Sequence, residues 1–460
     1  MRILARLAAI LLLAGCASAP QPTLVVPPHG VIGVEDSHLD PEFWIRRQGH
    51  PRRIMLDSTA IDALNAELMQ VDSSMNDIEA MPSTLPAAQV KEWISGLSRR
   101  PTRTLFDEEG RELPASALDE LIGKLNLDEV PGTQRTRYGV VVRRADLRTF
   151  PTRLRAFSTP GDTDIDRFQE SALFPGTPVL ITHVSADGQW WFVVSARYEA
   201  WIEKQYVAEG LAQDVFQYGR KTPYLIVTGS TVSTVFTREQ PEVSQLQLDM
   251  GVRVPVRADW TSDKPVNGQH PYASHVIELP LRGPQGELQF APALIPKTAD
   301  VAMSYLPLTA GNLLQQSFKF LGERYGWGHS YNARDCSGFV SEVYRSFGVQ
   351  LPRNTRDQGV SPAFDRIDFA PNDSHEKRLE MLQDLQVGDL IYIPGHVMMA
   401  IGYDEGMLYL IHDTTGITYR NENGIARVHL NGVSVTPLAP LLLDENRSLI
   451  DHIYSIQRIR

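Results

Sequence analysis

Cys336 is one of only two cysteines in a chain of 460 residues, and it stands in RDCSGFV (334–340) among small and charged residues instead of in an apolar run. Downstream of it Phe339, Val340, Val343, Tyr344 and Phe347 recur at helical spacing until Gly348 stops the pattern. The spacing predicts a helix that begins at Cys336 and is capped by Asp335. Unpaired N–H groups and the positive end of the helix dipole favour thiolate over thiol there, which is how a cysteine becomes a nucleophile near neutral pH. A lone cysteine can also serve as a small buried hydrophobe. Asp335, Ser337 and Gly338 are poor core residues and favour the reactive reading.

A thiolate nucleophile needs a base, and the base needs orienting. IYIPGHVMMAIGYDEGMLYLIHDTT (391–415) supplies both as two alternating apolar runs flanking Asp404, Glu405 and Gly406, the pattern of a hairpin. Strand periodicity puts His396, Met398 and Ala400 on one face, and Leu408, Leu410 and His412 on one face of the partner strand. With a three-residue loop Tyr403 pairs with Met407, Met398 lies opposite His412, and His396 is a diagonal neighbour of His412. A slip of one residue would separate the two rings across the sheet. The trio reads as Cys336 nucleophile, His396 general base and later acid, and His412 the group that fixes the tautomer of His396. Backbone N–H groups at the helix start are available for an oxyanion. Zinc ligation is the rival use of one cysteine and two histidines, but no CxxC, HExxH or further spaced ligand accompanies them. No metal or cofactor is expected.

The elements that must position these residues are legible along the chain. MRILARLAAILLLAGC (1–16) reads as an export signal, because its apolar run, residues 4–13, is shorter than the about 20 residues a spanning helix needs. LAGC (13–16) resembles the lipobox of bacterial lipoproteins, which makes Cys16 the expected site of lipidation. Residues 17–33, rich in Pro, Ala and small side chains, read as a tether. Residues 34–136 are expected to be mostly helical: Ser58 or Thr59 caps a stripe of Ile61, Leu64 and Leu68, and a second helix follows Pro114 from Ala115. From Tyr138 to about Pro296 short β-branched and aromatic runs alternate with Gly, Pro and Asp turns, as in small barrels. A faint internal repeat, ADLRT (145–149) with STVST (230–234) and L-x-x-G-x-x-V at 173–179 and 248–254, divides them into units 137–218 and 219–300. DGQWWFVVSARYEAWI (187–202) resembles the closing strands of bacterial SH3-like domains, with Tyr198 to Trp201 as their Y-x-G-W element and Ala200 in the glycine position. Its tryptophans are expected in the barrel core. Within the last unit, 308–460, Leu314, Phe318, Leu321 and Tyr325 form a helical stripe before Gly326, and residues 356–385 read as a long polar loop. The fold class is therefore multidomain α+β, with a helical N-terminal region, two small SH3-like β-barrels and a C-terminal catalytic domain.

Residues 308–460 resemble the NlpC family of papain-like cell-wall cysteine peptidases, through YGWG (325–328), DCSGFV (335–340), LPRNT (351–355), GDL (388–390) and GHVMMAIG (395–402). A helical region and two SH3-like domains ahead of a papain-like domain resemble the family's γ-D-glutamyl-L-diamino acid endopeptidases. That resemblance implies hydrolysis of the bond between D-Glu and the diamino acid of peptidoglycan stem peptides. It also implies selection of a free N-terminal L-Ala by Tyr198 and Asp335, and a cleft lined by Trp327, Ser337, Arg353 and Thr355. A carboxylate suits an ammonium and a guanidinium suits a carboxylate. His329 stands where relatives commonly carry a second glycine.

A net charge of −11 without a basic cluster speaks against nucleic-acid binding. The expected protein is a monomeric, exported lipoprotein of the cell envelope, in the periplasm and anchored to the outer membrane through Cys16, acting on muropeptides. A wall-binding scaffold with a vestigial catalytic domain and a thiol-dependent acyltransferase are the alternatives.

Overall fold

The helix that begins at the cysteine runs Cys336–Arg345, and Asp335 caps it by accepting the Gly338 N–H at 2.8 Å. It packs with Ala310–Phe318 on an antiparallel sheet in a computed structural model that describes residues 24–261 and 263–460. The export segment, the lipobox with Cys16 and residues 17–23 lie outside the described residues. The sheet runs in the order Asp365–Asp368, Ser455–Arg458, Leu390–Ile393, His396–Asp404, Met407–Asn421, Leu441–Asp444, Arg447–Ser448, and Gly424–Pro437 also pairs with Met407–Asn421. Alternation divides its side chains between two cores. Val397, Met399, Ile401, Tyr409 and Ile411 meet Phe339, Val340 and Val343 of the nucleophile helix, whereas Met398, Ala400, Leu408 and Leu410 face Leu382, Leu385 and Ile453.

Three expectations change here. The helix before the YGWG segment stops at Phe318, so Leu321 and Tyr325 lie beyond it. The nucleophile helix ends at Arg345, short of Phe347. Residues 356–385 are not one loop: they fold into Thr355–Val360, Asp365–Asp368 and His375–Leu382, the middle segment joining the sheet edge.

The first barrel is a seven-stranded sheet in the order Val207–Gly210, Arg137–Val141, Pro178–Val184, Trp190–Val194, Glu199–Glu203, Ala145–Arg148, Gln169–Leu173. Trp191 is buried in the barrel interior with Ile181, Val193 and Ile202, whereas Trp190 and Trp201, expected there too, are buried on the opposite face against Val90, Ile94 and Leu121 of the N-terminal region, because neighbours on a strand point to opposite sides. In the second unit the strands divide among three small sheets around Leu225, Val227, Leu248, Val254, Ile277 and Ile295, the longest ladder pairing Ser274–Arg282 with Leu288–Pro296. The repeated L-x-x-G-x-x-V stretches each turn at a glycine of positive φ, Gly176 (+87°) and Gly251 (+78°), before the next strand begins.

The N-terminal region contains the expected helices Ser58–Val71 and Ala115–Lys124, although Asp57 and not Ser58 or Thr59 caps the first, accepting the Ala60 N–H at 2.9 Å. It is not one unit. Val34, Trp44, Ile61, Leu68 and Met75 complete the catalytic core, while Ile78, Val90, Ile94 and Leu121 pack on the first barrel. Residues 24–33, read as tether, lie on the catalytic domain: Ile32 is buried, and the hydroxyls of Tyr409 and Tyr419 donate to the carbonyls of Gly33 (2.5 Å) and Gly30 (2.7 Å). Trp44 anchors this clip, wholly buried against His38 and Tyr409, with Nε1 donating to His38 O at 2.9 Å. Trp44→Ala is expected to cost about 3–5 kcal/mol in denaturant unfolding, through the cavity and the orphaned carbonyl. A cost below ~1 kcal/mol would mean that the clip is peripheral to stability. No described helix is long and apolar enough to cross a membrane.

Candidate active site

Cys336 lies at the first position of its helix with only 5% of its surface exposed. Its Sγ is 3.6 Å from Thr355 Oγ1, at the start of the next helix. The backbone N–H of Val397, next to His396, favours the charged form of the sulfur. The cap takes the Gly338 N–H, and Phe339 N–H bonds Asp335 O at 2.8 Å, which leaves the N–H groups of Cys336 and Ser337 without intrahelical partners.

His396 opens its strand, and its Nε2 lies 2.8 Å from His412 Nδ1. His412 Nε2 in turn lies 3.0 Å from Thr436 Oγ1 on the strand Gly424–Pro437. With the proton of His396 on Nε2 and that of His412 on Nε2, each ring donates to the next partner, and His396 Nδ1 is left as the basic nitrogen. The hairpin reaches this arrangement by a route the sequence pattern did not give. The turn has two residues, because Asp404 pairs with Met407 and Tyr403 with Leu408. A bulge between Ala400 and Gly402 then shifts the register, so that Met399 pairs with Ile411 and the parity of His396 with His412 is restored. Thr436, 24 residues from His412, carries no local signal in the sequence.

Burial changes the expected protonation state. Burial first, then the Asp335 carboxylate, push the Cys336 thiol up to about 12, against the hydrogen bonds from Thr355 and Val397. Burial thus disfavours the thiolate expected at this helix start. Burial alone brings His396 down to about 4, and burial followed by the charge of His396 takes His412 well below its ordinary value of 6.5. The resting pair is neutral thiol and neutral imidazole. Two results are expected. Alkylation of Cys336 by iodoacetamide rises about tenfold per pH unit through pH 9 without a plateau near pH 6, the plateau being the mark of a thiolate–imidazolium pair. Stability falls as pH drops from 6.5 to 4, because the unfolded chain takes the proton that the folded ring refuses, a loss of about 3 kcal/mol for His396. Urea unfolding at pH 7 and pH 4.5 checks the sign, and greater stability at the lower pH would contradict it.

The residues expected to line the cleft converge, and several of them bond one another. Arg353 is buried and bonds Asp335 at 2.8 and 3.3 Å, Ser337 Oγ at 2.8 Å, Ser171 Oγ at 2.6 Å and His329 Nδ1 at 3.0 Å. Burial opposes ionisation of Asp335, yet Arg353 and then His329 outweigh it and hold the carboxyl at about 2. The guanidinium and the carboxylate thus satisfy each other inside the protein. Trp327 donates Nε1 to Gln169 O at 3.1 Å, which fastens the loop to the first barrel. Tyr198 donates its hydroxyl to Glu170 Oε2 at 2.5 Å, and burial followed by that carboxylate raises its pKa and keeps it protonated. Glu170, on the barrel strand beside the cleft, was missed because nothing near it in sequence sets it apart.

His329 fits where a glycine was expected because its neighbours leave room. A Cβ on Gly338 would lie 2.7 Å from His329 Cε1, so the glycine of DCSG is what admits the imidazole. His329 Nε2 bonds Glu342 at 3.2 Å while Nδ1 accepts from Arg353. The loop ahead of the cysteine is held from outside its own domain. Arg334, wholly buried, bonds Glu342 (2.9 Å), Glu323 (2.7 and 2.9 Å), and Asp249 (2.7 Å) and Ser230 O (2.9 Å) of the second barrel unit. Arg144 of the first barrel bonds Asp249 at 2.7 Å and the carbonyls of His329, Asn332 and Ala333. Among the described residues no group of three or more His, Cys, Asp and Glu is placed to hold a metal ion.

Residues 322–430, which contain Cys336, His396 and His412, match the NlpC/P60 family, and residues 155–203 match the SH3 domain of the SH3b1 type. The chain carries an NlpC/P60 domain. Its fold is similar to that of an NlpC/P60 endopeptidase from Photobacterium damselae subsp. piscicida, with a TM-score of 0.71 at 17% identity over 90% of this chain and 95% of that one. An NlpC/P60 family protein from Bacillus cereus aligns at 19% identity over 70% of this chain and 99% of its own, with a TM-score of 0.45. No curated protein matches the chain by sequence. The NlpC/P60 domain here is joined to its SH3b domain through Trp327, Arg353 and Arg144, so the cleft is built by both.

Proposed function

We propose that this protein is a cysteine peptidase that hydrolyses peptidoglycan stem peptides at the bond between γ-D-Glu and the diamino acid, acting on peptides with a free N-terminal L-Ala. The observation that supports it is the relay Thr436–His412–His396 ending beside a cysteine at a helix N-terminus, within an NlpC/P60 domain. The solved relative from Photobacterium, itself named an endopeptidase, is consistent with that reading. As the substrate carbonyl arrives, Sγ attacks carbon while its proton passes to His396 Nδ1, so no free thiolate is required in the resting protein. The N–H groups of Cys336 and Ser337 receive the oxyanion. The imidazolium returns the proton to the departing amine, leaving a thioester, and water assisted by His396 releases the γ-D-Glu carboxylate and the thiol.

The free L-Ala ammonium is assigned to the Tyr198 hydroxyl and Asp335, to which the structure adds the Glu170 carboxylate. Export, the lipid on Cys16 and a periplasmic place on the outer membrane belong to the same proposal. Incubating the protein with L-Ala-γ-D-Glu-diaminopimelate and its N-acetylated form tests it. Mass spectrometry should find L-Ala-D-Glu from the first and at least about tenfold less product from the second, the loss of one charged hydrogen-bonded contact. Equal cleavage of both would remove the ammonium site. Retention on wall material without cleavage would favour the scaffold reading.

A further inference from the structure

We propose that the cavity where the two barrel units meet the far end of the nucleophile helix is a binding site for a phosphomonoester-type dianion. The cavity measures about 300 Å³. It is walled by residues 173–178 and 195–197 of the first barrel, 251–253 of the second, and Ser341, Arg345 and 348–350 of the catalytic domain. Only three of its lining residues are charged, and all three are arginines: Arg197, Arg253 and Arg345. No aspartate or glutamate lines it.

Their protein partners are main-chain carbonyls. Arg197 Nη1 donates to Leu351 O at 3.3 Å, Arg253 Nη2 to Lys221 O at 2.9 Å, and Arg345 Nε and Nη2 to Met250 O at 3.1 and 2.5 Å. Arg253 Nε is buried without a hydrogen-bond partner. Nearby arginines are treated differently: Arg144, Arg334 and Arg353 each hold a carboxylate at 2.7–2.8 Å. Glu342 and Asp249, whose charges favour Arg345, are already paired with Arg334, and further with His329 and Arg144. Burial first, then the charges of Arg345 and Arg353, bring Arg197 down to about 9, which records the crowding of like charge.

Crowded cations with spare N–H groups and no carboxylate bonded to them are stabilised by an anion that can accept several forks at once. A phosphoryl group, with its double charge and tetrahedral oxygens, does this better than a single carboxylate. The volume sits at the small end of organic ligand sites, about 300–1,000 Å³, enough for a phosphate on a compact organic group. Two of the guanidiniums are already braced on aromatic rings, Arg253 over Tyr224 at 3.9 Å and Arg345 over Phe174 at 4.4 Å, so little of their freedom remains to be lost. Because Arg345 closes the helix that Cys336 opens and Arg197 precedes Tyr198, a bound dianion would tie together the three units that build the cleft.

Isothermal titration of the full chain with inorganic phosphate and with glucose 6-phosphate, at ionic strength fixed by sodium chloride, tests the site. Saturable binding is expected, weakened about tenfold or more by Arg253→Gln, with peptidase turnover of that variant unchanged in phosphate-free buffer. Tighter binding of glucose 6-phosphate would assign the site to an organic phosphomonoester, and equal binding to phosphate itself. If the glutamine variant does not fold, Arg253→Lys carries the test, with a weakening of about threefold or more as the planar fork is lost. Heats no different from those of added chloride, or equal affinity in wild type and variant, would overturn the proposal.

Discussion

Cys336→Ala is expected to abolish release of L-Ala-D-Glu, a fall of about 10⁵-fold or more, while the protein stays folded. The rate loss follows from removing the atom that bonds to the substrate: without it the imidazole relay and the oxyanion donors act only on water. The fold survives because Cys336 presents a small side chain to a core already filled by Phe339, Val340 and Ile411. A cavity of one sulfur costs about 1 kcal/mol. His396→Ala should lose nearly as much, and the double variant little more, because the two groups act as a unit. His412→Ala is expected to lose about 10⁴-fold through the wrong tautomer of His396. Additive losses in the double variant, or residual cleavage by Cys336→Ala within tenfold of wild type, would show that the bond is broken without this thiol.

Arg334→Met is expected to destabilise the protein by about 3–5 kcal/mol and to take activity with it. The guanidinium is wholly buried and neutralises Asp249 and Glu342, themselves almost without exposure. Removing one member of such a cluster leaves buried carboxylates uncompensated, which is far costlier than losing a surface pair. Arg238→Met, which breaks an exposed pair with Glu239, should change stability by less than about 1 kcal/mol. Activity suffers as well because Arg334 directly precedes the capping Asp335, and its bonds to Ser230 O and Asp249 fix that loop against the second barrel unit. Arg334→Met combined with Glu342→Gln should recover part of the loss, since among the described residues Glu342 has no other Arg or Lys partner and the amide removes its orphaned charge while still able to bond His329. Chemical denaturation reads all four proteins, and an Arg334→Met midpoint equal to wild type would deny the network a structural role.

The features fixed by the sequence are those that the backbone resolves within a few residues. Asp335 caps the helix of Cys336 because a carboxylate three positions ahead of Gly338 reaches its N–H. Trp190 and Trp191 lie on opposite faces because neighbours on a strand alternate. His396 and His412 share a face because strand parity is a local rule, and it held although the turn was one residue shorter than expected, since the bulge after Ala400 compensated. Tertiary structure alone decided what depends on distance through space. The thiol resists ionisation because surrounding side chains exclude water from it and the Asp335 carboxylate lies near. Arg353 and Asp335, each read as facing substrate, neutralise one another because the fold brings them to 2.8 Å. Thr436, Glu170 and Asp249 reach the site from other strands, and Arg144 from the turn before Ala145–Arg148. Burial and ion pairing are sums over spatial neighbours, and no periodicity along a sequence encodes which neighbours those are.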